Sequence, residues 1–149
     1  MKKTLLILFF FLALIGCSQK SNSTLRSDFS TEFDRLFLSN EPLRYQDNVA
    51  FLDAIPVEEI SSSEKDLLKT KLIQFLSLQN HNRDYAPDSV LTGVASEIGF
   101  LRLQAVQVLG EVGTSEDVEF IQNLVSNPEG EHPLFEEECK KAIEKLNDS

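Results

Sequence analysis

From Phe29 to Leu146 the apolar residues of this chain recur every three or four positions, with no convincing run of alternation. A three-four spacing keeps apolar side chains on one face of a helix, whereas a half-buried strand needs a period of two. No Asn-Gly or Asp-Gly pair is present to turn a hairpin. The pattern therefore predicts an all-α chain of about seven helices.

The first helix is predicted over 28 to 38, with Phe29, Phe33, Leu36 and Phe37 on one face. A second starts at Pro42, with Asn40 upstream as its cap, and carries Tyr45, Val49, Leu52 and Ile55 before Pro56 stops it. Ser61 and Glu64 have the spacing of a capping box and open a third helix reaching about Gln79, with Leu68, Leu72, Phe75 and Leu76 inward. A fourth begins near Pro87 and carries Leu91, Val94 and Ile98. Gly99 either breaks it from the next helix or bends one long helix. The fifth, from Phe100 to about Glu111, is apolar over much of its circumference and must be covered on more than one side. Gly110 and Gly113 end it. Thr114 or Ser115 caps a sixth, whose core face is Val118, Ile121, Leu124 and Val125, and whose first turn holds Glu116 and Asp117. After the breaker Asn127-Pro128-Glu129-Gly130, a last helix presents Phe135, Cys139, Ala142, Ile143 and Leu146.

The stretch from Ala105 to Gly110 returns 37 positions later, from Ala142 to Asn147, with looser partners at Leu72 to Leu76. Helix pairs recurring at this interval point to a solenoid. Leu101-Arg102, Ala105 and Leu109-Gly110, followed by Val118, Ile121 and Val125, resemble a HEAT repeat, closest to the short kind of the phycobilisome lyases. The resemblance implies a short α-solenoid of HEAT-like helix pairs, with Ala105 letting helices approach and Gly110 at or just past a helix end. It is good over roughly 100 to 147 and weak before about 62. Asn147 stands where the repeat would have its second glycine, and the 128 to 134 insertion lengthens a loop. A generic helical bundle is the alternative. The resemblance carries no lyase activity, because fold does not carry function.

The N-terminus has a separate logic. Lys2 and Lys3 precede an apolar run from Thr4 to Gly16, 13 residues long. A spanning helix needs about 20, so the run fits the core of a secretory signal. Leu14-Ile15-Gly16-Cys17 resembles the lipobox of bacterial lipoproteins. That resemblance implies cleavage after Gly16 and a diacylglycerol thioether on Cys17. It divides the chain into a signal peptide at 1–16, a lipidated flexible tether at 17–27 and a helical domain at 28–149. Ser18, in place of the aspartate that retains enteric lipoproteins at the inner membrane, implies the outer membrane, facing the periplasm.

Charge narrows the partners. Removing Lys2 and Lys3 from 14 basic residues leaves 12 against 24 acidic ones, a net charge of −12. Nucleic acid is an unsuitable partner for such a surface. Contact with the membrane falls to the N-terminal lipid. No Gly-rich phosphate loop and no Gly-x-Ser-x-Gly elbow is present. His81 and Asp84 lie in a polar loop. His132, Glu136 and Cys139 supply metal-ligand atom types, but Cys139 falls on the core face, and glutamates in a helix's first turn are explained by its dipole. No catalytic residue and no cofactor is expected.

Two readings follow. The first is a non-enzymatic interaction module, a scaffold or assembly factor of the bacterial envelope that docks a protein or peptide. Its working surface would be the outward face of the fourth and sixth helices: Thr92, Ser96, Glu119, Phe120, Gln122 and Asn123. Phe120 is either an exposed anchor for the partner or packed under a neighbouring helix. The second is an envelope lipoprotein binding a small ligand or a metal through His132, Glu136 and Cys139.

Overall fold

The structure, a computed structural model, describes residues 24–39, 44–78, 94–126 and 134–148, all helix or the turns between. The signal peptide, Cys17, Pro42, the His81 loop, Thr92 and His132 lie outside the described residues, and of Ser96 only the backbone is described. Six helices are present among the described residues. Helix α1 is Phe29–Phe33 continuing without a break as a π-helical turn, Asp34–Leu38. It is followed by α2 (Tyr45–Asp53), α3 (Ser62–Leu76) and α4 (Val94–Val112). Helix α5 opens with a 3-10 turn, Ser115–Asp117, and runs on as Val118–Val125; α6 is Phe135–Asn147.

Among the described residues the count is six and not about seven, because the helix runs on through Gly99. A glycine inside a helix costs only about 1 kcal/mol relative to alanine. Here it is buried in a helix whose residues Ile98, Leu101, Leu103, Ala105, Val106, Leu109 and Val112 all sit in the interior. Packing on several sides outweighs that penalty.

The helical phases follow the sequence closely. Phe29, Phe33, Leu36 and Phe37 are buried, as are Leu68, Leu72, Phe75 and Leu76, and Phe135, Cys139, Ala142 and Leu146. Ile121 is fully buried, with Val118, Leu124 and Val125 half-buried around it. The capping box forms: Ser61 N–H donates to Glu64 Oε2 at 2.8 Å, and Glu64 N–H donates to Ser61 Oγ at 3.4 Å. Thr114 opens α5 in the same manner, its N–H donating to Asp117 Oδ2 at 2.8 Å.

The folded body begins before residue 28. Leu25, assigned from sequence to the tether, is buried in the core with Thr24 and Arg26 beside it. A single leucine in a polar stretch suffices when a hydrophobic seat and a carboxylate acceptor for its N–H, Glu64 Oε1, both await it.

Helix α4 is central. It packs against α2, α3 and α6, while α5 packs against α6, and α1 against α2 and α3. Gly110 lies inside α4 and not at its end. A Cβ there would stand 3.0 Å from Ala142 Cβ and 3.1 Å from Ala142 Cα, so its missing side chain is what lets α4 and α6 touch. The terminator is Gly113, whose N–H donates to Leu109 O at 2.8 Å. A Cβ on Gly113 would meet that same carbonyl oxygen at 2.7 Å.

Candidate functional site

Two surfaces compete for a functional role. The first is the face read from the sequence on α5. Glu119, Gln122 and Asn123 are all exposed on this short helix. Phe120 is half-buried and packs against the core, so its ring is in part structural. Because the expected fourth and fifth helices are one, Ser96 belongs to the first turns of α4, while the other described members of the proposed face belong to α5. The described geometry unites the four α5 residues.

The second surface gave no clear sequence signal. A groove of about 560 Å³ opens between α1 and α2. Its floor is apolar: Phe29, Leu36, Phe51 and Ile55. Beneath it lies a cluster of rings. Phe29 stacks on Phe51 at 5.4 Å and Phe33 on Phe37 at 4.6 Å, while Phe37 meets Phe75 edge-on at 5.2 Å. Offset and edge-on contacts of this kind add about 0.5–1.5 kcal/mol each beyond area burial.

The π-helical turn shapes this groove. Ser39 N–H donates to Asp34 O at 2.7 Å, one residue further back than in an α-helix. The wider turn places Arg35 and Leu36 on the groove lining. The Leu36 carbonyl, in the last turn of α1 where no helical N–H reaches it, accepts from Asn48 Nδ2 in a buried bond of 2.8 Å that pins α2 to α1.

The rim is charged and ordered. Arg35 forks onto Glu32 at 3.0 and 2.6 Å, and Arg26 onto Asp28 at 3.1 and 2.8 Å. The Arg35 guanidinium holds the Glu32 carboxyl below its usual range, and Arg26 does the same for Asp28. Asp47 adds a further carboxylate to the lining. The arrangement can seat an apolar group and orient its polar ends; it brings together no nucleophile and base.

A smaller groove of about 430 Å³ runs along the α4–α6 contact. It is laced with the chain's own ion pairs. Gln107 Nε2 donates to Glu138 Oε2 at 2.9 Å, Lys141 reaches Glu138 at 2.7 Å and Glu137 at 2.9 Å, and Lys145 pairs with Glu111.

The metal-ligand atom types named from sequence diverge. Cys139 is fully buried in the core, whereas Glu136 is exposed and paired with Lys140 at 2.7 Å. Among the described residues no group of three or more His, Cys, Asp or Glu could hold a metal ion. Sequence reasoning placed Arg102 in the repeat-like pattern and gave it no role. It is buried, donates to Leu76 O at 2.8 Å at the end of α3, and lies over the Phe135 ring at 5.6 Å. An arginine set directly between two core leucines, Leu101 and Leu103, was the available signal.

No helix among the described residues is long and apolar enough to cross a membrane. No family model, no curated protein and no solved structure matches the chain.

Proposed function

We propose that this chain is a lipid-anchored, non-enzymatic interaction module of the bacterial envelope, a scaffold or assembly factor that docks a protein or peptide. The lipobox-like Leu14-Ile15-Gly16-Cys17 supports the anchoring through Cys17 and, with Ser18, an outer-membrane position. The observation that carries the docking half is the shape of the described body. It offers an exposed polar helix face on α5 and a ring-floored groove between α1 and α2. A HEAT-like solenoid is the finer reading of the fold. It is supported by the contact pattern, in which α2, α4 and α6 pack in series while α1–α2, α3–α4 and α5–α6 pair. Solenoids bind through such extended surfaces without catalytic groups.

The test has two arms. Mass spectrometry of membrane-extracted protein should give no peptide from residues 1–16 and a lipid adduct on Cys17; an intact Met1 with unmodified Cys17 overturns the anchor. A photo-crosslinker at Gln122 should capture a discrete partner in cells, and the Glu119→Lys plus Asn123→Lys double variant should abolish that product while leaving the melt nearly unchanged. An unaffected product removes the α5 face from the proposal.

A second reading, an envelope lipoprotein that binds a small ligand, is favoured by one observation, the groove between α1 and α2. Native mass spectrometry of protein purified from membranes separates the two: a stoichiometric small-molecule adduct supports this reading.

A further inference from the structure

The wall of the α1/α2 groove nearest the N-terminus is not a helix. It is a strap of three residues, Thr24, Leu25 and Arg26, which lies against the turn that precedes α3. Three of its contacts reach across to other parts of the fold. The Leu25 side chain is seated in the core, 7 % exposed. Its backbone N–H donates to Glu64 Oε1 at 2.7 Å, a buried bond across 39 positions of sequence. The Thr24 hydroxyl donates to Glu59 O at 3.2 Å.

Glu64 is thus asked to do two things. Its Oε2 accepts the Ser61 N–H at 2.8 Å and the Ser61 hydroxyl at 2.6 Å, closing the capping box of α3. Its Oε1 faces the other way and takes the strap. A capping box needs only the first function. The second joins the start of the folded body to the start of a helix that is remote in sequence.

We infer that Glu64 is a clasp that holds residues 24–26 in place as a wall of the groove, so that releasing the clasp opens the groove. The energetic reason is the asymmetry of buried hydrogen bonds. A charge-assisted bond to an N–H is strong, and leaving that N–H buried without an acceptor costs more than the bond itself contributes. A strap that loses Glu64 therefore lifts to find water and takes Leu25 out of its seat. The inference does not depend on acylation of Cys17 and fails or stands separately from it.

Amide hydrogen exchange on the full-length chain tests the clasp, with the apolar dye anilinonaphthalenesulfonate as a probe of the groove. Glu64→Ala should speed exchange of residues 24–28 by about tenfold or more, while the amides of α4 change far less. Dye binding should rise several-fold. Glu64→Gln keeps an oxygen for the Leu25 amide and should restore most of the protection. Ser61→Ala, which removes the hydroxyl half of the capping box alone, should fray α3 and leave the strap protected. A strap unchanged in Glu64→Ala, or equally exposed by Ser61→Ala, overturns the clasp. A freed strap with unchanged dye binding overturns its coupling to the groove. Should Glu64→Ala unfold the whole chain, Glu64→Asp decides: its shorter carboxylate can still close the capping box, as Asp117 does for Thr114, but cannot also reach the Leu25 amide, so strap exchange should speed by several-fold, and no change overturns the inference.

Discussion

The two ends of this molecule are built from opposite materials. Around α1 and α2 the core is tiled with phenylalanine rings: Phe29, Phe33, Phe37 and Phe51, with Phe75 reaching in from α3. Around α4 and α6 it is mostly aliphatic, Phe135 excepted, and the helices meet at Gly110 and Ala142. Rings are large and stiff, and they fill the interior while leaving a groove of about 560 Å³ above them. Small residues let two backbones close on each other, and what groove remains is occupied by ion pairs. Bulk gives one end a surface that can receive something, and its absence gives the other end a tight seam.

The largest effects come from removing core bulk at either end. Phe33 and Leu109 are both fully buried. Phe33→Ala should cost about 3–5 kcal/mol and Leu109→Ala about 2–5 kcal/mol in denaturant melts. If Phe33→Ala were the milder change by a wide margin, the ring cluster would not be the main support of its end.

Gly110→Val should be next, at about 1–3 kcal/mol, because its Cβ would press on Ala142 and force α4 and α6 apart. Combining it with Ala142→Gly should recover part of the loss, since the two positions share one contact. A purely additive double variant would mean that the seam is not formed at these two residues.

A smaller effect is expected on acidification. The Glu138 carboxyl is held below its usual value of 4.5 by hydrogen bonds from Lys141 and then Gln107. Its folded value is depressed, so its contribution is present above the unfolded value and is lost as pH falls through the folded one. Melting temperature should therefore drop on acidification below about pH 4.5, and Glu138→Gln should flatten part of that drop. The Lys141 side chain is more than half exposed in both of its pairings, which keeps the effect small. The smallest expected change is Glu119→Ala, within about 0.5 kcal/mol, because Glu119 is exposed on α5. A cost comparable to Leu109→Ala would place Glu119 in an interface within the fold.

Much of the interior was legible beforehand. The three-four spacing identified Leu68, Leu72, Phe75 and Leu76, and later Phe135, Cys139, Ala142 and Leu146, all of which are buried. The Ser61–Glu64 capping box was readable as a local rule and forms as such. The exposure of Glu119, Gln122 and Asn123 also followed from phase alone. The groove did not. Its floor joins residues of α1 and α2 that are some twenty positions apart, and its shape depends on a π turn that no local spacing announces. Asn48 was unremarkable in sequence, yet its side-chain amide holds the carbonyl of Leu36.

The sequence by itself determined the helical class, the inward face of most helices and the caps of α3 and α5, because these depend on residues within one or two turns of each other. Tertiary structure decided whether a glycine breaks, ends or packs a helix. Gly99, Gly110 and Gly113 differ only in what surrounds them: a covered helix interior, an alanine on the next helix, and a carbonyl with a leucine behind it. It also decided that Leu25 belongs to the core and Glu64 to two structures at once. A buried hydrogen bond across 39 positions leaves no periodic trace, and only the packing of distant segments brings its donor to its acceptor.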